Sequence, residues 1–200
     1  MKRAELNELC YIVPIASVPS IVEKGILSHR RADRVPHQTI ALQEVQDRRA
    51  SVVVPMGRRL HEYANLYFCA RNPMLLRRSN KHREICVLRV DVSVIDLPNV
   101  VITNSNAASK YARFMPAPAG LAIVDKDRTF ATWWTHEDQI EQWRHSAQKC
   151  AEVLVPDRVP AEYLVGAYVS CGHSRKALKQ LAPTLPVVVD PSMFFQRGVA

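Results

Sequence analysis

The sequence predicts an α+β fold with a mixed or antiparallel β-sheet. Strand patterns are several and short, and helical patterns collect near the two ends of the chain instead of alternating with strands as in βαβ units. The 200 residues are enough to bury a substantial core, and they contain neither an internal repeat nor a low-complexity segment. We therefore expect one domain over residues 1–200.

The first elements follow from apolar runs and helix-ending residues near the N-terminus. Residues 9–15, LCYIVPI, form an apolar run typical of a strand that ends at Pro14. The next segment predicts a helix between Ser17 as N-cap and Gly25 just past its C-terminus, with apolar residues at spacings of three and four. A further helix is predicted around 41–50, ALQEVQDRRA, which ends in a pair of arginines and an alanine.

The remaining elements are several strands and two more helices. One helix is predicted across 135–149, because this segment begins with acidic residues and ends with basic ones, as the helix dipole prefers. The other helix is predicted at 174–181. The strands are expected at 65–70, 84–90, 99–102, 120–124, 151–155, 165–170 and 187–189.

The strand at 151–155 carries a carboxylate in a segment otherwise suited to a core. Period-2 alternation places Glu152 and Leu154 on one face, and Ala151, Val153 and Val155 on the other. Glu152 therefore either lies at the wet end of the strand or projects into a cleft where it can do chemistry.

The charge of the chain is strongly positive and indicates an anionic partner. The net charge is +8 and the pI is near 9.5. Between Arg30 and Arg83, twelve lysines or arginines stand against four acids. Arginine suits phosphate because its planar fork can contact two oxygens at once. Nucleic acid or another polyphosphate is the expected partner, and a merely solvated basic face is the alternative.

Several classes of site are excluded by their missing motifs. The chain has only six glycines and no GxGxxG or Walker A pattern, and its seven histidines show neither HExxH nor Cys/His zinc spacing, so we expect no metal. A GxSxG elbow is also missing. No apolar run reaches the ~18–20 residues that span a bilayer, and the N-terminus lacks the apolar region of a signal peptide. Five cysteines without a CxxC pair indicate free thiols and a cytoplasmic location.

A series of short segments occurs in a characteristic order along most of the chain. The segments are CYIV at 10–13, SIVEKGILSH at 20–29, QDRR at 46–49, LHEYANLYFCARNPML at 60–75, TNSNAA at 103–108, ARF at 112–114 and AEVLV at 151–155. Together they resemble the DarT family, toxins of DarT–DarG modules that attach ADP-ribose from NAD+ to bases in single-stranded DNA. The resemblance spans roughly residues 9–170.

The resemblance implies an ADP-ribosyltransferase fold, in which a split and mainly antiparallel sheet holds NAD+ in a cleft. Glu152 coincides with the catalytic glutamate of the family. A carboxylate there would stabilise the positive charge that develops on the ribose when its bond to nicotinamide breaks. Arg49 coincides with an arginine that the family places beside the reacting base, where it can hold the pyrophosphate or make a base N–H more acidic.

The resemblance also implies contacts to NAD+ and to DNA. Tyr11 and Pro14 are departures, because the family usually has histidines at these two positions; backbone contacts from Ile12 or Val13 would survive the change at Tyr11. The residues implied to contact NAD+ are Tyr11, Ile12, Val13, Gly25, His29, Tyr67, Phe68 and Arg71. The residues implied to contact DNA are Arg48, Asn72, Met74, Asn106, Lys110 and Arg113.

Three tryptophans precede the strand of Glu152, in the region where transferases of this fold carry a substrate-recognition loop. An exposed indole there could stack on a base. Of Trp133, Trp134 and Trp143, we expect two to be core residues.

The expected activity is transfer of ADP-ribose to thymine or guanine in single-stranded DNA, which would block replication. A macrodomain antitoxin of the DarG type that removes the mark is the implied protein partner. Two alternatives stay open: a transferase that acts on RNA or tRNA, and a nucleic-acid-binding domain without catalytic activity. A preference for DNA over RNA, with transfer onto a base, would distinguish the expected activity from the first alternative. Absence of NAD+ turnover, with salt-sensitive DNA binding retained, would favour the second alternative.

Overall fold

The computed structural model describes residues 1–36 and 43–196. Within these ranges the strands are β1 Leu9–Pro14, β2 Ile26–Leu27, β3 Tyr63–Tyr67, β4 Ile85–Val90, β5 Val101–Thr103, β6 Phe114–Pro116, β7 Glu152–Pro156, β8 Arg158–Val159, β9 Leu164–Val169 and β10 Val187–Val189. The α-helices are α1 Val18–Lys24, α2 His29–Ala32, α3 Gln43–Ala50, α4 Pro73–Leu76, α5 Lys126–Phe130, α6 Gln139–Gln148 and α7 Gly172–Leu181. Short 3-10 turns connect many of them.

Eight strands form one sheet in the order β10-β9-β4-β1-β3-β7-β5-β6. All neighbouring strands are antiparallel except β9 and β10, which are parallel. β2 and β8 form a separate two-stranded ribbon. The predicted α+β class with a mainly antiparallel sheet is confirmed.

The sheet divides between β1 and β3. β1 pairs with β4 along its full length, from Leu9 to Pro14. Its pairing with β3 is recorded at a single position, Cys10 opposite Tyr67. Beyond Cys10, the edge of β1 that faces β3 therefore has no strand partner within the described residues. This is the split that the resemblance predicted.

The two faces of the sheet have different coverings. One face carries the main core, to which Leu66 of β3 and Val153 of β7 contribute side chains that are fully buried. Because successive residues of a strand point to opposite faces, Tyr67 and Glu152 belong to the other face. Cys10 and Ile12 of β1 lie on that same face, packed with Tyr67 and the fully buried Phe194. We call this second face the site face.

Most predicted elements are present, with three informative differences. The apolar run 120–124 forms a 3-10 turn, Ala119–Ile123, and not a strand. A Cβ at Gly120 would come within 2.7 Å of the Met115 carbonyl oxygen, so this turn packs too closely on β6 for most side chains. A short apolar run fits either a strand or a buried turn, and its pattern alone does not distinguish them.

The other two differences concern element boundaries. The helix predicted from 135 begins at Gln139, because the carboxylate of Asp138 accepts a hydrogen bond from the Glu141 N–H at 2.7 Å and caps the helix there. The strand predicted at 65–70 is shifted to Tyr63–Tyr67. Positions 41 and 42 of the helix predicted at 41–50 lie outside the described residues.

Candidate active site

Glu152 is the first residue of β7, and its side chain is fully buried. It is the register partner of Tyr67 on β3, which is in turn the partner of Cys10 on β1. The backbone N–H of Glu152 donates to Thr103 Oγ1 at 3.0 Å, and the Thr103 hydroxyl donates to the Ser105 carbonyl at 2.6 Å. The carboxylate therefore starts from a fixed backbone position at the point where the sheet divides.

Arg49 holds the Glu152 carboxylate in a two-pronged ion pair. Nη1 donates to Oε1 at 2.9 Å and Nη2 donates to Oε2 at 3.1 Å. The Arg49 side chain, from the last turn of α3, is only 8 % exposed. Burial by itself lowers the pKa of Arg49, but the charge and hydrogen bonds of Glu152 raise it, and the net shift is upward. Arg49 is therefore a permanent cation on the Glu152 carboxylate.

A third donor comes from the loop between β5 and β6. The backbone N–H of Ala107 donates to Glu152 Oε1 at 3.3 Å. The loop is held in place by Asn106, whose N–H donates to the Ala147 carbonyl at 2.9 Å and whose Oδ1 accepts from the Ala108 N–H at 2.9 Å. The side-chain oxygen of Asn106 thus supports the loop, while Lys110 and Arg113 of the same loop are exposed.

Tyr67 lies beside the ion pair, buried on the site face. Burial raises its pKa well above the usual value, and the nearby charge of Glu152 raises it further. Its phenol is therefore neutral at physiological pH. A neutral hydroxyl next to a carboxylate can donate a hydrogen bond to an oxygen of a bound molecule without adding charge.

The other residues predicted to contact NAD+ fall into two groups. Ile12 has its side chain on the site face. The side chains of Tyr11, Val13 and Phe68 pack on the opposite face, in the cores that β1 and β3 share with their neighbours. Only the backbone groups of these three residues can face the cleft. A contact between the Phe68 side chain and NAD+ does not fit this placement.

Gly25 follows α1 in a conformation that requires glycine. Its φ is +82°, and a Cβ there would clash with the carbonyl oxygen of Val159. The turn brings β2 against β8 and places α2, with His29, next to the 3-10 turn Leu60–Glu62 that leads into β3.

His29 lines an open cleft of about 370 Å3 together with Arg30, Asp33, Arg59, His61 and Glu62. The imidazole rings of His29 and His61 stack, with centroids 4.1 Å apart and planes 13° from parallel. Burial lowers the pKa of His61, and the charges of His29 and Arg49 lower it further. The cleft therefore lies close to Arg49. His61 had no role in the sequence-based prediction, although it lies inside the LHEY segment that carried the resemblance.

Three residues predicted to contact DNA differ in their surroundings. Arg48 is exposed, and its Nε donates to the Glu44 carbonyl at 3.3 Å within α3. Asn72 is fully buried: its Oδ1 caps α4 by accepting from the Leu75 N–H, and its Nδ2 donates to the Cys69 carbonyl. Met74 is partly buried against the same cluster as Tyr67. The polar atoms of Asn72 are thus committed to the fold.

Arg71 is predicted to contact NAD+, and its guanidinium lies over two aromatic rings. The guanidinium carbon is 4.2 Å from the Phe195 ring centroid and 5.4 Å from that of Trp133. Trp134 is 6 % exposed, but Trp133 and Trp143 are 68 % and 65 % exposed. The expectation that two of the three tryptophans belong to the core is wrong. Trp133 lies in the non-helical segment between α5 and α6, and Trp143 lies on an exposed side of α6, so only Trp134 packs into the core.

Across residues 1–36 and 43–196, no three side chains of His, Cys, Asp or Glu come together in a way that could hold a metal ion. In the same ranges, no helix has the length and apolarity needed to cross a membrane. The five cysteines are free thiols, of which Cys10, Cys86 and Cys150 are buried.

The sequence model of the DarT family, described as a single-stranded-DNA thymidine ADP-ribosyltransferase, matches residues 10–195. A DNA ADP-ribosyl transferase–DNA ADP-ribosyl glycohydrolase fusion protein of Thermosipho africanus (strain H17ap60334) is 35% identical over 203 residues, which is 94% of this chain and 50% of that protein. This chain thus spans about half the length of that relative.

Two solved structures are similar to the fold as a whole. Thermosipho africanus DarTG in complex with ADP-ribose has a TM-score of 0.83 and 30% identity, covering 95% of this chain and 51% of that one. Thermus sp. 2.9 DarT in complex with ADP-ribosylated single-stranded DNA has a TM-score of 0.79 and 25% identity, covering 94% of this chain and 96% of that one. These similarities extend over both halves of the split sheet.

Proposed function

The chain belongs to the DarT family, and from this membership we propose that it transfers ADP-ribose from NAD+ to a base of single-stranded DNA and releases nicotinamide. The resemblance predicted from its sequence motifs is confirmed. One observation of the site carries the proposal: the fully buried Glu152 carboxylate, held by Arg49 at the division of the sheet. A relative that is a DNA ADP-ribosyl transferase and a similar structure that holds ADP-ribosylated single-stranded DNA support the same reaction.

Glu152 supplies the negative charge that this reaction needs. When the bond between ribose and nicotinamide breaks, positive charge develops on the ribose, and a fixed carboxylate stabilises that state more than the ground state. The interaction is strong because the site is buried, so that little water screens it. The Glu152 backbone N–H donates to Thr103 Oγ1 and fixes the main chain, and the Ala107 N–H donates to the carboxylate, so the carboxylate is in place before the substrate arrives.

Arg49 is the group that positions anionic or polar parts of the reactants. Both prongs of its guanidinium contact Glu152. We propose that one prong is transferred to a substrate oxygen, either of the pyrophosphate or of the acceptor base, when NAD+ and DNA bind. The new bond joins the ribose C1′ to a base atom, and the proton that the base loses passes to Glu152 or to water.

The free edge of β1 fits the predicted binding of NAD+. Beyond Cys10 this edge faces the division of the sheet without a strand partner, so backbone groups near Ile12 and Val13 can form hydrogen bonds to the nicotinamide amide. Tyr67 closes the same space from β3. The predicted side-chain contact of Tyr11 is replaced in this proposal by its backbone, because its side chain packs against the cores of the opposite face.

The proposed partners follow from the reaction. Single-stranded DNA presents unstacked bases, whereas a paired base would have to be flipped out before it could react. We propose a macrodomain glycohydrolase of the DarG type as the partner that removes the mark, supported by the fusion of both activities in the name of the Thermosipho relative. The proposed location is the cytoplasm, and residues 1–200 are proposed to form one transferase domain.

Mass spectrometry of single-stranded oligonucleotides incubated with the protein and NAD+ tests the proposal. Each oligonucleotide lacks one base in turn, starting with thymine because the family description names thymidine; RNA of the same sequence runs in parallel. A mass gain of one ADP-ribosyl group that is lost with one missing base identifies the acceptor. Transfer to RNA in preference to DNA would contradict the proposed substrate.

Glu152→Gln and Glu162→Gln form a matched pair for this assay. Gln keeps the shape of each side chain and removes its charge. Glu162 is exposed in the turn before β9, a strand that β4 separates from β1 in the sheet. We expect transfer to be abolished by the first substitution and unchanged by the second. Equal activity of both variants would remove Glu152 from the mechanism.

A further inference from the structure

A cluster of aromatic and cationic side chains lies beyond the end of β3, outside the ion pair of the active site. It consists of Arg71, Trp133, Trp134, Lys149 and Phe195, and we call it the Arg71 cluster. The Arg71 guanidinium lies over the rings of Phe195 and Trp133. Trp134 meets Phe195 edge-on at 6.0 Å between centroids.

The cluster holds Trp133 in a fixed but exposed position. Its neighbour Trp134 is buried, and Lys149 Nζ lies 5.5 Å from the Trp134 ring centroid. Lys149 Nζ also donates to the carbonyls of Thr129 and Ala131, both at 2.8 Å, so the segment before Trp133 is tied down. The indole of Trp133 nevertheless remains 68 % exposed. An anchored backbone with an uncovered ring is suited to stacking on a flat ligand.

The charge around Trp133 is positive. The contacts recorded for Arg71 are two aromatic rings and the Ser192 carbonyl, and those of Lys149 are carbonyls, a thiol and an aromatic ring. Within the described residues, neither cation forms an ion pair with a carboxylate. Lys149 is fully buried against Trp134, so Arg71 is the cation that a ligand on Trp133 can reach. A cation without a counter-charge against an exposed indole matches a ligand that combines a flat ring with a phosphate.

The position of the cluster relative to Glu152 is fixed by the chain. Arg71 follows Tyr67, the register partner of Glu152, by four residues, which span at most about 14 Å. Lys149 precedes Glu152 by three residues. The cluster therefore lies within reach of a nucleotide that neighbours the acceptor.

We propose that Trp133 stacks on an unpaired base that neighbours the acceptor nucleotide, with Arg71 supporting the ring from below and supplying charge toward the adjoining phosphate. This inference rests on the proposed function and assigns one subsite of the DNA strand. Stacking tolerates any base, because every base has a π-face, so this subsite fixes the position of the strand and leaves the choice of acceptor to the catalytic site.

The test compares Trp133→Ala with Trp143→Ala, because the two indoles are almost equally exposed and only Trp133 lies against Arg71. Binding of a fluorescently labelled single-stranded oligonucleotide is measured by anisotropy without NAD+, so that no turnover occurs. An abasic site is then moved through the oligonucleotide one position at a time. We expect Trp133→Ala to raise the Kd about tenfold, Trp143→Ala to leave it unchanged, and Trp133→Phe to restore most of the affinity.

The abasic series distinguishes stacking from a general loss of structure. In the wild-type protein, one abasic position should weaken binding, and Trp133→Ala should be insensitive to that same position. The KM for NAD+ should be equal in all variants. Equal Kd values for Trp133→Ala and Trp143→Ala, or a wild-type protein that binds no single-stranded DNA with or without NAD+, would overturn the inference. Failure of ADP-ribose transfer with base-dependent binding intact would instead contradict the proposed function alone.

The inference would also be overturned if Trp133→Ala bound a protein inhibitor more weakly than the wild-type protein does while its DNA binding was unchanged. That result would mean that the exposed indole contacts a protein and not a base.

Discussion

Arg49 and Glu152 are 103 residues apart in the sequence, and their side chains share two hydrogen bonds in the interior of the protein. The pair joins α3 to β7 across the site face. Taking two charges out of water is costly, and the cost is offset only when the partners and their remaining hydrogen bonds are all in place. The Ala107 N–H and the fixed backbone of Glu152 provide that arrangement.

Arg49→Ala should destabilise the protein much more than Arg48→Ala. The first substitution leaves a buried carboxylate without its counter-ion, which costs about 3–5 kcal/mol, whereas Arg48 is exposed and its loss should stay within about 0.5 kcal/mol. Urea unfolding followed by circular dichroism measures both. The double variant Arg49→Met, Glu152→Leu should recover part of the lost stability, because no charge is then left buried. A double variant less stable than Arg49→Ala would contradict this account.

The stability of the fold should fall as the pH drops below about 6.5. Burial lowers the pKa of His145 from its usual value of 6.5, and the nearby Arg128 and His136 add to the effect although the bond to the Arg128 carbonyl opposes it. A lowered pKa means that the unfolded chain binds a proton more readily than the folded protein does. Protonation of His145 therefore favours the unfolded chain once the pH falls through 6.5. Above that pH, His145 does not reduce the free energy of unfolding.

The free energy of unfolding at pH 7.5 and pH 5.5 measures this effect in the wild-type protein and in His145→Gln. Glutamine can still donate to the Arg128 carbonyl, which His145 Nε2 contacts at 3.0 Å. We expect the difference between the two pH values to be smaller in the variant. His173→Gln is the control, because His173 is exposed. An equal pH dependence in all three proteins would exclude His145 as a source.

Lys149→Met should loosen the segment that carries Trp133. Burial lowers the pKa of Lys149, and its ammonium group is retained inside the protein by the carbonyls of Thr129 and Ala131. Methionine keeps the length of the side chain but leaves both carbonyls without their donor, at a cost of about 1–3 kcal/mol. Hydrogen exchange near Thr129 should become faster, with Lys176→Met, at an exposed position, as the unaffected control. Unchanged exchange in Lys149→Met would contradict the anchoring role.

The sequence predicted seven of the ten strands of the described residues, because their apolar runs are bounded by prolines, glycines and polar residues. It missed β2, β6 and β8, which have only two or three residues each, and it placed a strand at 120–124 where a 3-10 turn forms. Glu152 could be singled out by its place in such a strand, and alternation placed it on the correct face. The pairing of Glu152 with Arg49 could not be predicted from the chain, since the two residues meet only after the sheet has formed. The resemblance placed them in one site without giving their contact.

Side-chain roles were harder to predict than elements. Asn72 follows the pattern of a surface asparagine, yet it is buried as the cap of α4, a use that becomes visible only through its bond to Leu75. Phe68 and Tyr67 are adjacent aromatics, and the pleat alone decides that Tyr67 faces the site while Phe68 enters the core. The stack of His29 on His61 joins two segments distant in sequence, so no local pattern signals it.

Gly25 and Gly172 offer a final comparison, since alanine should have opposite effects at the two positions. Gly25 has a positive φ, and a Cβ there would clash with the Val159 carbonyl oxygen, so Gly25→Ala should cost at least about 1–3 kcal/mol. At Gly172, the first residue of α7, no atom lies within 4 Å of an added Cβ. Gly172→Ala should therefore be neutral or stabilise the protein by up to about 1 kcal/mol, because alanine restricts the unfolded chain.

Thermal unfolding of both glycine variants, with and without NAD+, separates the structural role of Gly25 from its predicted contact with NAD+. A purely structural role lowers the melting temperature of Gly25→Ala equally in both conditions, because ligand binding then stabilises variant and wild type alike. A contact with NAD+ makes the variant gain less from the ligand than the wild-type protein does. We expect NAD+ to raise the melting temperature of Gly25→Ala less than that of the wild-type protein, because the turn at Gly25 sets the position of α2 and its His29. An equal rise in melting temperature for both proteins would remove Gly25 from the predicted NAD+ contacts and leave its role in the fold unchanged.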